Sequence, residues 1–366
     1  MASLSYYCGG EWMTFPYGSE PRRPKIEVHL ATPELCKFTL TDTDVSVANS
    51  LRRVILAEVP SMAIDIVNVE ENETVIFDEF IAHRMGLLPL SAHAVGDIPP
   101  DVTADYGYTE FKDCSCFDGC PYCSVEFKLD VHNPEDRVMS VTHFEVEKTS
   151  KYQRDNWPEE KDVNCLPKID PALARETDEE KLKEMTTLEH RENGVLIAKL
   201  KKDQHLKMIC MARKGIPKYH AKYMPVATSK YQFQPVINLD REMADSLTLD
   251  EKIDLVQSCP RKVFELDVED KVQVERLMDC IFCDECVAKA QVLGKRSMVT
   301  VKMDANTFHF TVEAVTKDGP RTPADVVRAG LRILEYKMSR FLQDAYKDDI
   351  TEWLPLEPQP DGLADI

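Results

Sequence analysis

The stretch Asn49–Leu90 constrains the fold of this 366-residue chain more than any other part of the sequence. Apolar residues just before and inside it recur on one face of a 3.6-residue period, which predicts an amphipathic helix over 45–58. Asp44 can cap this helix, and Pro60 ends it because proline cannot donate to the helical ladder. An apolar strand over Ile64–Val69, a polar turn and a second amphipathic segment follow. This order predicts a fold that combines helices and strands.

Short strands are predicted for most of the segment Met62–Pro225, where apolar residues alternate with polar ones. Two further strands are expected nearer the beginning of the chain, around a Thr32–Pro33 turn. Val75–Phe77 is also predicted as a strand. Val125–Val131 is expected to pair with Val138–Val146 across a His-Asn-Pro turn.

The clearest helical signal lies near the end of the chain. Thr322 can cap this helix, Pro323 suits its first position and Asp325 resembles a capping-box acid. Apolar residues then recur at alternating spacings of four and three, as in a coiled-coil heptad. These heptad residues are Val327, Leu331, Leu334, Met338 and Phe341, followed by Ala345. The spacing fits a helix packed on the chain's own core or on a partner helix. Both interpretations are compatible if two chains share one core.

Composition limits the class of protein. The hydrophobic fraction of 43% and the charged fraction of 30% are ordinary for a globular protein. The formal net charge of −19 is opposite in sign to that of proteins that bind nucleic acid directly. No apolar stretch approaches the ~20 residues of a membrane span, and the N-terminus lacks the pattern of a signal peptide. We expect no membrane association, contact with nucleic acid only through other proteins, and reduced or metal-bound cysteines.

Cys114, Cys116, Cys120 and Cys123 form the first of two cysteine clusters. A tetrahedral Zn²⁺ is bound by four thiolates at ~2.3 Å, and closely spaced thiols on a tight loop can supply them. Four incidental thiols and two disulfides are the alternatives, although such short spacings make two well-formed disulfides awkward. The spacing therefore favours a zinc loop over 114–123.

Cys280, Cys283 and Cys286 form the second cluster, with Cys259 upstream. Triple Cys-x2-Cys spacing, completed by a remote Cys-Pro, is how ferredoxin-like loops bind an iron–sulfur cluster. Here the remote cysteine precedes the triplet, and zinc or reduced, metal-free thiols are the other two interpretations. Any cluster is expected to be structural, because the sequence implies no redox partner.

The sequence lacks the motifs of a catalytic site. It contains neither the phosphate-binding pattern GxxxxGK(S/T) nor GxGxxG, and no Ser/His/Asp order. An exposed hairpin explains the acidic residues of 65–79, and structural hydrogen bonding explains His83. We therefore expect no catalytic residue.

The segment Asn49–Leu90 resembles the signature of the alpha-like subunits of multisubunit RNA polymerases, a family with eukaryotic, archaeal and bacterial members. The resemblance extends in patches across Pro24–Ala345. It implies that the helix bearing Arg52 and Arg53 faces a large polymerase subunit, and arginine suits buried bidentate contacts. It also implies that the heptad residues of the last helix belong to an assembly interface.

The fold implied by the resemblance is α+β and discontinuous. A dimerisation domain is built from 24–61 and 226–346, and a mainly β insert domain at 62–225 carries the zinc loop. A small ferredoxin-like cysteine-rich insertion at 258–294 is similar to one in some archaeal members, whereas several eukaryotic relatives lack its cysteines. Two terminal segments are predicted to be disordered: an N-terminal extension and an acidic tail, at 1–23 and 347–366.

The function implied by the resemblance is assembly. An alpha-like subunit heterodimerises with a smaller alpha-like subunit, and the pair forms the platform for the two largest subunits of a DNA-directed RNA polymerase. The complex is a nucleotidyltransferase, but this chain supplies no catalytic residue. The first cysteine loop resembles that of the polymerase II branch, which implies mRNA synthesis in the nucleus. The expected cofactors are one Zn²⁺ and, at the second cluster, an iron–sulfur cluster.

Two alternatives compete with this hypothesis. The alpha-like subunit shared by RNA polymerases I and III has the same general pattern, but the first cysteine loop argues against it. A ferredoxin-like iron–sulfur redox protein is suggested only by Cys259 and the triplet that follows. Such a protein would have little use for the Asn49–Leu90 signature or for the terminal heptad helix.

Overall fold

The structure is a computed structural model, and it describes the following residues: 5–8, 11–14, 23–91, 107–152, 163–165, 194–315 and 321–347. These residues form a mixed α/β fold. Its helices are α1 (Val45–Ala57), α2 (Asp78–Gly86), α3 (Arg241–Asp245), α4 (Leu249–Ser258), α5 (Glu285–Val292) and α6 (Pro323–Lys347). Among these residues, no helix is long and apolar enough to cross a membrane.

Sixteen strands accompany these helices in the described part of the chain. They are β1 (Ser5–Cys8), β2 (Glu11–Thr14), β3 (Lys25–Ala31), β4 (Leu35–Thr41), β5 (Ser61–Asn72), β6 (Leu90–Ser91), β7 (Ser124–His132), β8 (Met139–Thr142), β9 (Val146–Lys148), β10 (Asn164–Cys165), β11 (Leu196–Leu200), β12 (His205–Gly215), β13 (Val226–Leu239), β14 (Phe264–Leu266), β15 (Val272–Val274) and β16 (Val299–Ala314).

The chain divides into two compact units, each built from separated parts of the sequence. Unit 1 comprises Met1–Leu30, Lys37–Asn49 and Lys230–Thr311. Unit 2 comprises Ala31–Cys36, Ser50–Ser229 and Val312–Ile366.

The main sheet of unit 1 has the strand order β13-β16-β4-β3. Strands from the beginning and the later part of the chain are therefore neighbours in one sheet. Phe38 of β4 stacks on Phe310 of β16 with ring centroids 4.8 Å apart. Tyr231 of β13 meets Phe308 edge-on at 5.5 Å. These aromatic contacts hold the three strands together on one face.

A second, smaller core of unit 1 surrounds the later cysteines. It is formed by α3, α4, α5 and the antiparallel hairpin β14–β15. Thr248 and Glu251 form a capping box that begins α4. Leu255 and Phe264 are fully buried in this core, beside three of the four cysteines of the second cluster.

Unit 2 is centred on the antiparallel sheet β5-β12-β7-β9. The central strand β12 pairs with β5 from Gly215↔Ser61 to Leu206↔Asn72. It pairs with β7 from Arg213↔Ser124 to His205↔His132. Alternate side chains of β12 are buried in the core together with two side chains of α2; these residues are Leu206, Met208, Cys210, Ala212, Ile81 and Met85.

Helix α6 packs on α1 within unit 2. The predicted cap is confirmed, because the Thr322 hydroxyl donates to Asp325 at 2.7 Å and accepts from the Asp325 backbone N–H at 3.3 Å. A Cβ added to Gly330 would lie 3.1 Å from Ile55 Cγ1. Glycine at this position therefore lets the two helices approach closely.

Three expectations about local structure differ from the fold. Val75–Phe77 is not a strand, because the Asn72 side chain holds a turn there by bonding Thr74 and Ile76. The predicted pairing of Val125–Val131 with Val138–Val146 is only partly right: β8 pairs with β11, whereas Val146 at the start of β9 pairs with Leu129 of β7, whose other neighbour is β12. Within 1–23, β1 and β2 pair as a hairpin, while the predicted acidic tail lies outside the described residues except for Lys347.

Candidate metal centre and assembly helix

The first cysteine cluster converges in unit 2. The sulfur atoms of Cys114, Cys116, Cys120 and Cys123 all lie within 4.8 Å of one another. Three of the sulfur pairs are separated by 3.6 Å (Cys114–Cys120), 3.4 Å (Cys116–Cys123) and 3.6 Å (Cys120–Cys123). Sulfur atoms that share one tetrahedral Zn²⁺ at ~2.3 Å are about 3.8 Å apart. All four cysteines are free thiols, so this donor set fits a single metal ion of that size.

Local backbone geometry explains why this loop folds onto itself. Gly119 has a φ of +132°, a conformation that side chains rarely adopt. The backbone N–H groups of Cys123 and Ser124 donate to the Cys120 carbonyl oxygen at 3.1 and 3.0 Å. This tight turn carries the chain from the loop directly into β7 and brings the third and fourth thiols together.

The thiols of this loop differ in acidity. Hydrogen bonding to the backbone of Cys116 lowers the pKa of the Cys114 thiol. Burial raises the pKa of Cys120 and of Cys123. Because metal binding requires thiolates, a cation has to replace these protons when the site is loaded.

The second cluster lies in the small core of unit 1 and is less convergent. Cys259, Cys280 and Cys286 are buried, and Cys283 is exposed. All four line one cavity of about 10 Å³. In the part of the chain that the structure describes, only the first loop brings three or more potential metal ligands within 4.8 Å of one another.

This geometry fits neither metal interpretation of the second cluster. A single zinc ion needs closer sulfur atoms. An iron–sulfur cluster needs room for several iron and sulfide atoms, whereas a 10 Å³ cavity has room for about one water molecule. Burial raises the pKa of Cys286 to about 11 and also raises that of Cys280.

Helix α6 has two apolar faces. Val326, Ala329 and Ile333 are buried, at 1%, 0% and 7% exposure, on the side that packs on α1. Leu331 is 37% exposed on the other side. We call this second side the outer stripe; it comprises Leu331, Leu334, Met338, Phe341 and Leu342.

The predicted heptad residues differ in burial along the helix. Val327 shares the side of Leu331 and Leu334 by its spacing of four and seven residues, but it is only 7% exposed, so this side is buried at the start of α6. Leu334 is half-buried, while Met338 and Phe341 are 59% and 67% exposed. Helix α6 therefore combines a buried apolar side with an exposed apolar side.

The two predicted assembly arginines lie on α1. Arg52 is half-buried and Arg53 is exposed. Sequence reasoning missed Arg213, which is buried beneath the first cysteine loop. It occupies an ordinary strand position, and no local spacing associates it with cysteines almost a hundred residues away.

The chain is an alpha-like RNA polymerase subunit: it matches the RNA polymerase Rpb3/Rpb11 dimerisation domain family over residues 37–338 and belongs to that family. It is 35% identical over 321 residues to DNA-directed RNA polymerase II subunit rpb3 of Dictyostelium discoideum, which covers 87% of this chain and 93% of that protein. The DNA-directed RNA polymerases II, IV and V subunit 3 of Arabidopsis thaliana is also 35% identical over 321 residues (87% and 90%). DNA-directed RNA polymerases I and III subunit rpac1 of Dictyostelium discoideum is 27% identical over 290 residues (79% and 73%). The resemblance that the sequence implied is confirmed.

Proposed function

We propose that this chain is the non-catalytic, alpha-like assembly subunit of a DNA-directed RNA polymerase II. It heterodimerises with a small alpha-like subunit, and the pair forms the platform on which the two largest subunits assemble for DNA-templated mRNA synthesis. The observation that carries the proposal is the outer stripe of α6 in a chain of the dimerisation-domain family. Two relatives at 35% identity are named as polymerase II subunits, whereas the polymerase I and III relative is 27% identical.

The outer stripe supplies apolar surface for the partner subunit. Leu331, Met338, Phe341 and Leu342 are 37–67% exposed along one side of a rigid helix. Burying them completely would contribute on the order of 4 kcal/mol, from ~1.5–3 kcal/mol per fully buried side chain. Association alone costs about 4–15 kcal/mol. The stripe therefore accounts for only part of the affinity, and the rest of the interface has to come from other surfaces.

Charged groups are also present on α6 and α1. Lys337 of α6 pairs with Glu58, which directly follows α1. Arg52 and Arg53 on α1 are the residues that we assign to contact with a large subunit, where their guanidinium groups can bind carboxylates in a bidentate manner. The net charge of −19 suits a platform that reaches nucleic acid only through the rest of the complex, and this role requires a nuclear location.

We assign the domains as the family fold implies. Residues 24–61 and 226–346 form the dimerisation domain, which the strand order β13-β16-β4-β3 supports because it combines both parts of the chain. Residues 62–225 form the insert domain, supported by the sheet β5-β12-β7-β9. The cysteine-rich insertion occupies 258–294.

The first cysteine loop is assigned as a structural zinc site, with Cys114, Cys116, Cys120 and Cys123 as its four ligands. Zinc would hold the loop closed and supply no catalytic chemistry. Cys116→Ser is expected to reduce the zinc content from one equivalent and to make the insert domain more sensitive to protease, while binding of the small partner is retained. Metal analysis and limited proteolysis check this; unchanged zinc and unchanged cleavage would contradict the assignment.

For the second cluster, the sequence spacing is the ground for proposing an iron–sulfur cluster bound by Cys259, Cys280, Cys283 and Cys286. The arrangement described above fits no metal, so binding would require these four thiols to rearrange and the cavity between them to open. Chain purified anaerobically should absorb visible light near 400 nm and contain iron. Colourless protein with a second equivalent of zinc would favour a zinc site at the second cluster. Protein without metal at these thiols would contradict both the iron–sulfur and the zinc interpretation.

The heterodimer can be tested directly by native mass spectrometry. Co-expression with a small alpha-like polymerase subunit is expected to give a one-to-one complex of the two chains. A monomer of this chain beside a free small subunit would contradict the proposal.

The ferredoxin-like alternative would be supported only by reversible one-electron reduction of this chain that is coupled to the turnover of a partner enzyme.

A further inference from the structure

Arg213 lies beneath the first cysteine loop and is only 8% exposed. It lies opposite Ser124 in the pairing of β12 with β7. Ser124 directly follows Cys123, the last cysteine of the loop. Met211 lies on the same face of β12, and a Cβ added to Gly119 would be 3.4 Å from its Sδ. The first cysteine loop therefore packs against the outer face of β12.

The guanidinium group of Arg213 contacts the loop at two more points. Its Cζ lies 3.5 Å from the ring centroid of Phe111, three residues before Cys114. Its Nη2 makes a long hydrogen bond of 3.5 Å to the carbonyl oxygen of Asp118, in the middle of the loop. One cation thus contacts the start and the middle of the loop and lies beside its end.

Arg213 lacks a counter-charge in this setting. Among the residues that the structure describes, it forms no ion pair with a carboxylate, and its Nε has no hydrogen-bond partner. A buried cation without a counter-charge is unfavourable, because the surroundings replace only part of the water that it has lost. Protonated thiols are neutral and would not relieve this, whereas four thiolates around one Zn²⁺ carry a net charge of roughly −2.

We propose that Arg213 is the charge-compensating and positioning residue of the metal centre. Its guanidinium group stabilises the anionic metal–thiolate group from below and holds the loop through Phe111 and Asp118. This inference rests on the proposed zinc site. It predicts that the charge of Arg213 and the bound metal stabilise each other, so that removing either one weakens the contribution of the other.

The test is Arg213→Met in the full-length chain, which removes the charge and keeps much of the side-chain length. The rate of zinc release to an excess of chromogenic chelator should rise ~10-fold or more, as for other groups that support metal ligands. Thermal unfolding should also be measured with and without zinc. The increase in Tm on zinc binding should be smaller in the variant than in the unsubstituted chain, and the metal-free variant should be no less stable.

Two further variants make the test specific. Lys207→Met removes the same charge from the same strand. Lys207 lies away from the loop, where its Nζ is 2.7 Å from the Glu70 carboxylate, so this variant should leave zinc release unchanged. Arg213→Lys keeps the charge but loses the planar stack on Phe111, and it should release zinc at an intermediate rate.

Two results would overturn the inference. One is equal zinc release from Arg213→Met and Lys207→Met. The other is an equal loss of Tm with and without zinc in Arg213→Met, which would make Arg213 a packing residue only. Absence of zinc from the unsubstituted chain would overturn the zinc site itself, and the inference with it, so the two failures are distinguishable.

Discussion

The inner and outer faces of α6 carry similar residues but differ sharply in burial. On the inner face, Val326 and Ile333 are 1% and 7% exposed. On the outer face, Met338 and Phe341 are 59% and 67% exposed. A helix of a single-chain domain needs one apolar stripe, whereas α6 has two. The comparison separates the inner face, which supports the fold, from the outer face, which we propose is used for assembly.

The largest expected effect is on the inner face. Ile333→Asp places a carboxylate where Ile333 is 7% exposed, and we expect it to destabilise the chain by more than about 4 kcal/mol. Urea unfolding followed by circular dichroism measures this. An unchanged unfolding midpoint would show that the inner face does not support the fold.

The corresponding change on the outer face is Leu331→Asp. We expect the free energy of unfolding of the isolated chain to change by only about 0.5 kcal/mol, as for an exposed site. Binding of the small alpha-like subunit should weaken on the order of 100-fold, because the complex would bury an unpaired carboxylate. Gel filtration of the co-expressed chains checks binding.

A matched control for Leu331→Asp is available on the same helix. Gln343 is exposed and lies to one side of the outer stripe, so Gln343→Asp adds the same charge while leaving the stripe intact. It should co-elute with the partner as the unsubstituted chain does. Normal co-elution of Leu331→Asp would contradict the division between the two faces.

The smallest effect concerns the beginning of α6. Burial alone would raise the pKa of Asp325, but hydrogen bonds from Thr322 and the ion pair with Arg328 lower it. Asp325→Asn is therefore expected to cost ~0.5–2 kcal/mol of stability at neutral pH. A group whose pKa is lower in the folded chain stabilises it above the unfolded pKa and loses this contribution on acidification. The difference in Tm between chain and variant should shrink below about pH 4; a constant difference would show that the charge is not responsible.

Features that depend on neighbouring residues were predicted well from the sequence. The Thr322–Asp325 cap and the first cysteine loop are examples, since their partners lie within ten residues. The family resemblance, carried by a continuous stretch of chain, was equally readable. Local spacing was sufficient because turn geometry alone brings these groups together.

Features that depend on distant pairing were not predictable in the same way. The Asn72 side chain turned a predicted strand into a turn, and β8 pairs with a strand more than fifty residues later. The heptad spacing could not show that Val327 is buried while Phe341 is exposed, because burial depends on which other elements pack against each turn of α6. Arg213 is 95 residues from the Asp118 carbonyl that it contacts, and only the sheet register brings them together.

The most direct test of the assembly function is affinity isolation of the tagged chain from nuclear extract, with its partners quantified by mass spectrometry. We expect stoichiometric recovery of the two largest polymerase II subunits and one small alpha-like subunit. Recovery of polymerase I and III subunits instead would assign the chain to the other branch of the family. Recovery of the chain alone, or with an oxidoreductase, would contradict the assembly function.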